Sequence, residues 1–189
     1  KEDNVRAPYG IEDTTPPQEV TNITVKNTAG GAVIKYDIPS DPDLMYVKAL
    51  FESKKGEIRE VRSSMYIDSL VIKGIGDTNE HNVTVYAVDR ADNASKGISV
   101  SIHPETPPVI KIRESLAAEK DWGGFSLALE NKEKEPISIM VYYENEETKG
   151  SVLHDIYYTE QATGPLAIRG LSALPSHFSV IVRDRWENE

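Results

Sequence analysis

The clearest pattern of apolar and polar positions in this chain is a strict alternation that occurs twice. It covers residues 83–89 and again residues 178–184. Each copy follows a glycine, Gly74 or Gly170, and runs into the sequence Asp-Arg-x-x-Asn; the glycines lie 96 residues apart and the first aspartates 95. Alternation with a period of two predicts a half-buried β-strand. A repeat of this length predicts two tandem copies of one small β-domain.

The same reasoning predicts seven strands in the first copy, because alternating runs are separated by turn residues at short intervals. The predicted strands cover residues 20–25, 33–38, 44–51, 58–63, 65–72, 82–89 and 98–102. No helical periodicity stands out along this part of the chain. Many short strands without helices are typical of a β-sandwich.

The second copy repeats this order with one omission. Its predicted strands cover residues 109–116, 125–129, 137–143, 152–158, 166–169 and 178–184, and the turn at Gly123-Gly124 matches the one at Gly30-Gly31. Nothing corresponds to the strand at 98–102. A sandwich without its last strand exposes an unpaired edge. We therefore expect a continuation beyond Glu189, or a partner, to supply the strand.

Prolines and polar stretches mark the predicted boundaries. Residues 1–13 are expected to be a flexible tether, residues 14–103 the first β-sandwich, and residues 104–108 a Pro-rich linker. Residues 109–189 would then form the second sandwich, incomplete at its C-terminal end. The predicted fold class is all-β, with two tandem β-sandwiches.

Composition narrows the range of partners. The formal net charge of −10, without a cluster of Lys and Arg, argues against nucleic acid and against an anionic membrane surface. The chain has no cysteine and therefore no disulfide. No apolar run approaches the roughly 20 residues that a membrane helix needs.

Two sets of residues carry a family resemblance. The alternating strand, with Asn82, Val83, Val85, Ala87 and Asp89, resembles strand F of fibronectin type III domains. The Thr-Pro-Pro sequences at 15–17 and 106–108 resemble the starts of such domains in arrays. The resemblance implies that both sandwiches are of the fibronectin type III and immunoglobulin-like kind.

Residues 43–49, 63–70 and 86–89 more closely resemble a family of Bacteroidetes surface lipoproteins. Members carry two fibronectin III-like domains of unknown function ahead of a discoidin-like, galactose-binding-type C-terminal domain, and occur with glycan-uptake systems. The resemblance implies that the missing strand and a third domain lie beyond Glu189. It implies a polysaccharide or a surface glycan-uptake complex as partner, bound through that third domain.

The same resemblance implies the cellular location. Lys1-Glu2-Asp3 is similar to the acidic signal that follows the lipidated cysteine in such lipoproteins. The protein would then be exposed on the outer membrane, and would touch the membrane only through a lipid anchor upstream of Lys1.

The candidate chemistry points away from catalysis. No pair among His81, His103, His154 and His177 has the spacing of metal ligands on one element. The acidic turns at 41–43 and 144–147 could bind Ca²⁺, but a solvated hairpin tip is the expected role. The chain lacks a nucleophile elbow, a phosphate-binding glycine loop and a reactive cysteine. We therefore predict no catalytic residue, no metal site, no cofactor and no enzyme.

Two tryptophans are the candidate ligand-binding residues. Trp186 follows the alternating strand, where packing against the preceding domain is the favoured role. Trp122 lies in a Gly-rich loop, where its ring could stack on a sugar or pack on a following domain. The tyrosine pairs at 142–143 and 157–158 could form a binding strip or simply pair across strands.

Together these observations predict a rod-like, non-catalytic cell-surface spacer and interaction module. It would hold a carbohydrate-binding domain away from the outer membrane. The alternative is a cell-adhesion or protein–protein binding module.

Overall fold

The chain forms two compact units. The computed structural model describes residues 14–54, 56–145, 148–171 and 177–189. The first unit comprises 14–26, Val33–Ile72 and His81–Ile102, and the second comprises Asn27–Ala32, Lys73–Glu80 and His103–Glu189, each within the described residues. Two short segments of the first sequence repeat therefore belong to the second unit.

The first repeat folds into two sheets. Its strands are β1 (Thr21–Thr28), β2 (Gly31–Asp37), β3 (Leu44–Lys54), β4 (Glu57–Ser64), β5 (Ser69–Ile72), β6 (His81–Asp89) and β7 (Ile98–Ile102). One sheet has the order β1-β2-β5 and the other the order β4-β3-β6-β7. All seven predicted strands are present. The fifth is shorter than predicted, because it begins only at Ser69.

The alternating strand β6 lies in the interior of the four-stranded sheet. It pairs antiparallel with β3 on one side and with β7 on the other. Val83, Val85 and Ala87 are fully buried, whereas Thr84 and Tyr86 between them are only partly buried. The period of two in the sequence is therefore the period with which side chains enter the core.

The second repeat contains one helix and six strands among its described residues. The helix is α1 (Pro108–Ser115), and the strands are β8 (Ala117–Asp121), β9 (Gly124–Glu130), β10 (Ile137–Glu144), β11 (Ser151–Thr159), β12 (Thr163–Arg169) and β13 (Phe178–Asp184). One sheet has the order β12-β9-β8 and the other β11-β10-β13. Buried side chains from both sheets and from α1 form one core.

The strand predicted at residues 109–116 is wrong. These residues form α1, which places Val109 and Ile112 in the core. The β-branched composition of this segment suggested a strand. Proline at the first helical position presets the backbone for a helix, however, and the spacing of three between the buried residues matches one helical face.

The strand that replaces it, β8, was not predicted. Its sequence Ala-Ala-Glu-Lys-Asp has poor strand propensity, and all five residues are exposed. Backbone pairing with β9, from Ala117 opposite Ala128 to Asp121 opposite Gly124, holds it in the sheet. Tertiary context therefore outweighs local preference here.

The predicted fold class is confirmed. The protein is all-β apart from one short helix, and its strand orders are those of tandem fibronectin type III-like and immunoglobulin-like β-sandwiches. In the part of the chain that the structure describes, β13 has a strand neighbour on one side only, namely β10.

Candidate functional site

The Asp-Arg-x-x-Asn motif forms the same turn in both repeats. In the first, the Asp89 Oδ1 atom accepts hydrogen bonds from the backbone N–H groups of Ala91 and Asn93, both at 2.8 Å. The Asn93 amide donates to Asp89 Oδ2 at 2.9 Å. Burial raises the pKa of Asp89, but the hydrogen bonds from Asn93, Ala91 and Asp92 outweigh it and leave the pKa below its usual value. This carboxylate therefore serves the turn.

The second turn repeats these contacts and places Trp186. Asp184 Oδ1 accepts hydrogen bonds from the backbone N–H groups of Trp186 at 2.8 Å and Asn188 at 2.9 Å. The half-buried Trp186 ring lies against Gly74, where an added Cβ would approach the ring Cγ within 2.5 Å. Arg185 stacks 5.4 Å from the ring centroid. The side chain of Trp186 is thus engaged within the second unit.

Trp122 is placed very differently. It lies at the turn of the β8–β9 hairpin, and 93% of its surface is exposed. Its backbone N–H donates to Asp121 Oδ1 at 2.7 Å, and Gly123 next to it has a φ of 65°. A local hydrogen bond and a glycine in the left-handed region therefore fix the turn and leave the indole in solvent.

Beside Trp122 lies an open groove of about 860 Å³ between β8, β9 and β13, which we call the β8–β13 groove. Its apolar lining is Trp122, Phe125, Leu127, Leu171, Phe178 and Val180. The rings of Phe125 and Phe178 are tilted against each other, 5.5 Å between centroids. The groove therefore offers a continuous apolar surface that borders the unpaired edge of β13.

An ion pair borders the same groove. The Arg169 guanidinium lies 2.6 Å from Asp121 Oδ2, and the His154 ring Nε2 lies 2.9 Å from the backbone oxygen of Arg169. The hydrogen bond from Arg169, followed by that from the Trp122 backbone, holds the pKa of Asp121 below its usual value. A charged rim beside an apolar surface is the usual composition of a binding interface.

Trp122 is one of the two predicted ligand-binding residues, whereas the groove beside it was not predicted from the sequence. Phe125 and Leu127 belong to the strand predicted at residues 125–129, and Phe178 is the first residue of the strand predicted at 178–184. The sequence feature that could have identified Phe178 is its equivalence with Val83, which lies 95 residues earlier in the first repeat. Val83 lies opposite Val100 of β7, and no strand among the described residues of the second repeat corresponds to β7.

The other candidate positions do not converge. Among the described residues, no three His, Cys, Asp or Glu side chains are grouped as metal ligands. Of the acidic turn at 144–147, residues 146 and 147 lie outside the described residues. No helix in the described ranges is long and apolar enough to span a membrane.

The tyrosines do not form a strip of neighbours across β10 and β11. The register places Tyr158 opposite Ser138, Tyr157 opposite Ile139 and Tyr142 opposite Leu153. This register gives no direct Tyr–Tyr pair, although Tyr142 and Tyr158 lie on the same face of the sheet. Tyr158 is instead a single ring, 79% exposed.

The two repeats match two different family models. Residues 17–104 match the one described as Domain of unknown function (DUF4959), and residues 105–189 match Domain of unknown function (DUF5126). No curated protein matches the chain in sequence.

Several solved structures resemble the chain at low identity. A two-domain fibronectin type III segment of chicken tenascin is 12% identical over 87% of this chain and 99% of its own, with a TM-score of 0.43. The chicken interferon gamma receptor alpha chain is 13% identical over 87% and 92%, with a TM-score of 0.39. The Clostridium perfringens spore cortex lytic enzyme SleM is 13% identical over 51% and 31%, with a TM-score of 0.41. The chain spans about a third of that enzyme's length.

Proposed function

We propose that the chain is a non-catalytic spacer and interaction module of a cell-surface lipoprotein that takes part in glycan capture. It would present a carbohydrate-binding domain away from the outer membrane. The observation that carries the proposal is the tandem pair of β-sandwich repeats, whose repeated carboxylates Asp89 and Asp184 serve turns. Consecutive β-sandwiches can hold a further domain at a distance from the membrane, because each folded repeat has little conformational freedom.

The glycan-capture part of the proposal is supported by the lipoprotein-like motifs at residues 43–49, 63–70 and 86–89. The spacer part is supported by the placement of the two tryptophans. Trp186 packs on Gly74, and Trp122 stands at the rim of a groove whose polar side chains, Glu119, Lys120 and Asp121, all come from the one strand β8. Sugar sites combine a stacking ring with several convergent hydrogen-bonding groups.

The first test is binding of the 189-residue chain to soluble polysaccharides by affinity electrophoresis and titration calorimetry. We expect no retardation and no heat of binding, and Trp122→Ala should behave like the parent chain. Retardation that disappears in Trp122→Ala would contradict the spacer assignment. Retardation that disappears in Tyr158→Ala would do the same and would place a glycan site at the second exposed ring.

The surface-lipoprotein part has its own test. Intact mass of the native protein, purified from the membrane fraction, should show a lipid-modified cysteine before Lys1 and a further domain after Glu189. A native protein that is recovered in the soluble fraction and carries no lipid would overturn the surface-lipoprotein part of the proposal. The β-sandwich repeats would then need another role.

A second function, binding of a protein partner, is favoured by one specific observation. The β8–β13 groove borders a strand edge that has no second neighbour among the described strands. Such an edge is a ready template for another polypeptide.

A further inference from the structure

The sheet β11-β10-β13 of the second unit has an apolar outer face. Ile139 and Val141 of β10 are buried in the core of this unit. The β10 residues that alternate with them therefore point to the other side of the sheet. The register places residues of β11 and β13 beside them on that side. We call this surface the β10 face, and its apolar members are Met140, Tyr142, Leu153, Ile156, Tyr158 and Ile181.

The β10 face is accessible to solvent and packed at its centre. Tyr158 is 79% exposed and Leu153 is 43% exposed. Ile156 and Ile181 are partly exposed. Met140 lies between these two isoleucines in the register and is only 6% exposed. The β10 face is therefore a continuous apolar surface and not a set of isolated side chains.

The first repeat shows what the same face looks like when it is closed to partners. An offset of 95 relates β13 to β6 through their shared turn, and β10 lies beside β13 as β3 lies beside β6. This relation identifies equivalent residues on the two faces. Across its centre the first repeat has Arg62, Lys48 and Tyr86, where the second has Ile156, Met140 and Ile181.

Charged side chains occupy the centre of the face in the first repeat. Lys48 Nζ lies 3.6 Å from Glu60 Oε2 and 5.9 Å from the centroid of the Tyr86 ring. The Arg62 guanidinium lies 4.6 Å from the centroid of the Tyr46 ring. Burying such charges against another protein is costly, because they lose their water. The second repeat has apolar residues at the central positions, so its face can be buried without that cost.

The β10 face carries opposite charges at its two ends. Arg183 lies opposite Ser138 in the row at one end. Glu144, at the other end, is six residues along β10 from Ser138, which is roughly 20 Å in a strand. An open cavity of about 670 Å³ beside Arg183 is lined in part by Ser138 and Tyr158. Turned end for end, the face would therefore bring Glu144 over this cavity and lay apolar rows on apolar rows.

We propose that the β10 face binds the β10 face of a second molecule of this chain, with the two β10 strands antiparallel. The apolar centres are buried against each other, and Arg183 of each molecule pairs with Glu144 of the other. A contact of this kind uses the same surface on both molecules, so it closes on itself and gives a dimer. The inference goes beyond the proposed spacer function and does not depend on glycan capture.

The size and charge of the face favour a second molecule in a reversible dimer. The face covers roughly 20 Å along β10 and roughly 10 Å across three strands, which is small for an obligate dimer. A sugar would meet Met, Ile and Leu side chains at its centre. An acidic polymer attracted by Arg183 would be repelled by Glu144. A second molecule satisfies both charges, and does so twice.

The test is sedimentation equilibrium of the whole 189-residue chain between about 10 µM and about 1 mM. At about 0.15 M salt, repulsion between two chains of net charge −10 is screened beyond about 8 Å. We expect the mass to rise with concentration from 21.0 kDa toward twice that value, with a midpoint of about 0.1 mM. Amide signals of β10, β11 and β13 should shift over the same range.

One substitution places on the β10 face the charge that the first repeat carries. Ile156→Arg introduces the residue type of its counterpart Arg62, which the same fold accommodates. It should weaken association by about tenfold or more, because a charge replaces a buried apolar contact. Val71→Arg, at a strand position of the first unit that is 47% exposed, is the control and should leave association unchanged. The dispersion of the amide spectrum shows whether each variant is folded.

A charge exchange tests the antiparallel arrangement. Arg183→Glu alone and Glu144→Arg alone each bring like charges together at both ends, and each should weaken association by about threefold or more. In an equimolar mixture of the two variants, unlike charges meet at both ends again. The mixture should therefore associate as strongly as the parent chain. An effect confined to one molecule would not be restored by mixing.

Three results would overturn the inference. A mass that stays at 21.0 kDa at about 1 mM would assign the β10 face to a partner other than a second molecule. Association that survives Ile156→Arg in a folded chain would place the contact elsewhere. A mixture that associates no better than its separate components would rule out the pairing of Arg183 with Glu144. The polysaccharide titration is a separate measurement, so the spacer assignment is tested independently.

Discussion

Asp121 is the residue whose ionisation the structure controls most directly at the groove. Arg169 holds it in the charged form, so its pKa in the folded chain lies below the ordinary value of about 3.9. A depressed pKa contributes stability that is present above the unfolded value and is lost as pH falls through the folded one. Because the pair is exposed, solvent screening makes this contribution small.

We therefore expect Arg169→Gln to raise the pKa of Asp121 toward its ordinary value. The measurement is an NMR titration of the Asp121 carboxyl carbon between pH 2 and 6. Lys120→Gln, which removes a neighbouring positive charge but leaves the Arg169 hydrogen bond in place, is the control and should change the pKa much less. Equal shifts in the two variants would show that general charge, and not this contact, sets the pKa.

Gly124 shows how closely two strands approach beside the groove. A Cβ added there would lie 1.9 Å from the backbone oxygen of Ile168. A backbone oxygen cannot rotate away from a clash as the end of a flexible side chain can. Gly124→Ala should therefore lower the free energy of unfolding by about 2–4 kcal/mol. Gly123→Ala meets no atom within 4 Å and should cost only about 1–2 kcal/mol, from its positive φ. Urea unfolding followed by circular dichroism compares them, and equal losses would contradict the clash.

At the scale of elements, α1 is stabilised by what it buries. Ile112 is almost completely buried in the core of the second unit, whereas Ile110 is only partly buried against it. We expect Ile112→Ala to destabilise the chain by about 2–5 kcal/mol and Ile110→Ala by clearly less. Thermal unfolding of the two variants measures the difference. A larger loss at Ile110 would mean that the helix rests on the core by its other face.

Most strands of the first repeat could be predicted because they obey a single rule. Alternation in the sequence becomes alternation of burial, as Val83 and Val85 show in β6. α1 and β8 could not be predicted in this way. The segment that begins at Pro108 has β-branched residues yet is helical, while Ala117–Asp121 has helix-forming residues yet is a strand. Packing and pairing with distant residues decide both.

The candidate site was predictable only at the point where it reaches solvent. A tryptophan between an aspartate and two glycines indicates an exposed turn, and Trp122 is one. The groove behind it depends on Phe178 and Leu171, which come from segments far along the chain. Their meeting follows from sheet order, which no local pattern contains. Comparison of the two repeats was the one route from sequence to this surface.

At the scale of the whole molecule, the two repeats share one fold but differ in what lies beside the equivalent strands β6 and β13. In the first repeat β6 has neighbours on both sides, and its apolar residues are closed off. In the second repeat the equivalent strand borders an open groove. The two repeats therefore differ in how much apolar surface the equivalent strands leave accessible to solvent.

The position of the two tryptophans has a practical consequence for studying the chain. Both Trp122 and Trp186 belong to the second unit, and the sequence contains no other tryptophan. Indole emission therefore follows the melting of that unit alone, whereas the far-ultraviolet dichroism of the strands follows both. Two probes whose transitions coincide indicate one cooperative event. The difference between the midpoints of the fluorescence and dichroism transitions therefore reports how independently the two units unfold. The measurement needs no label and no truncation.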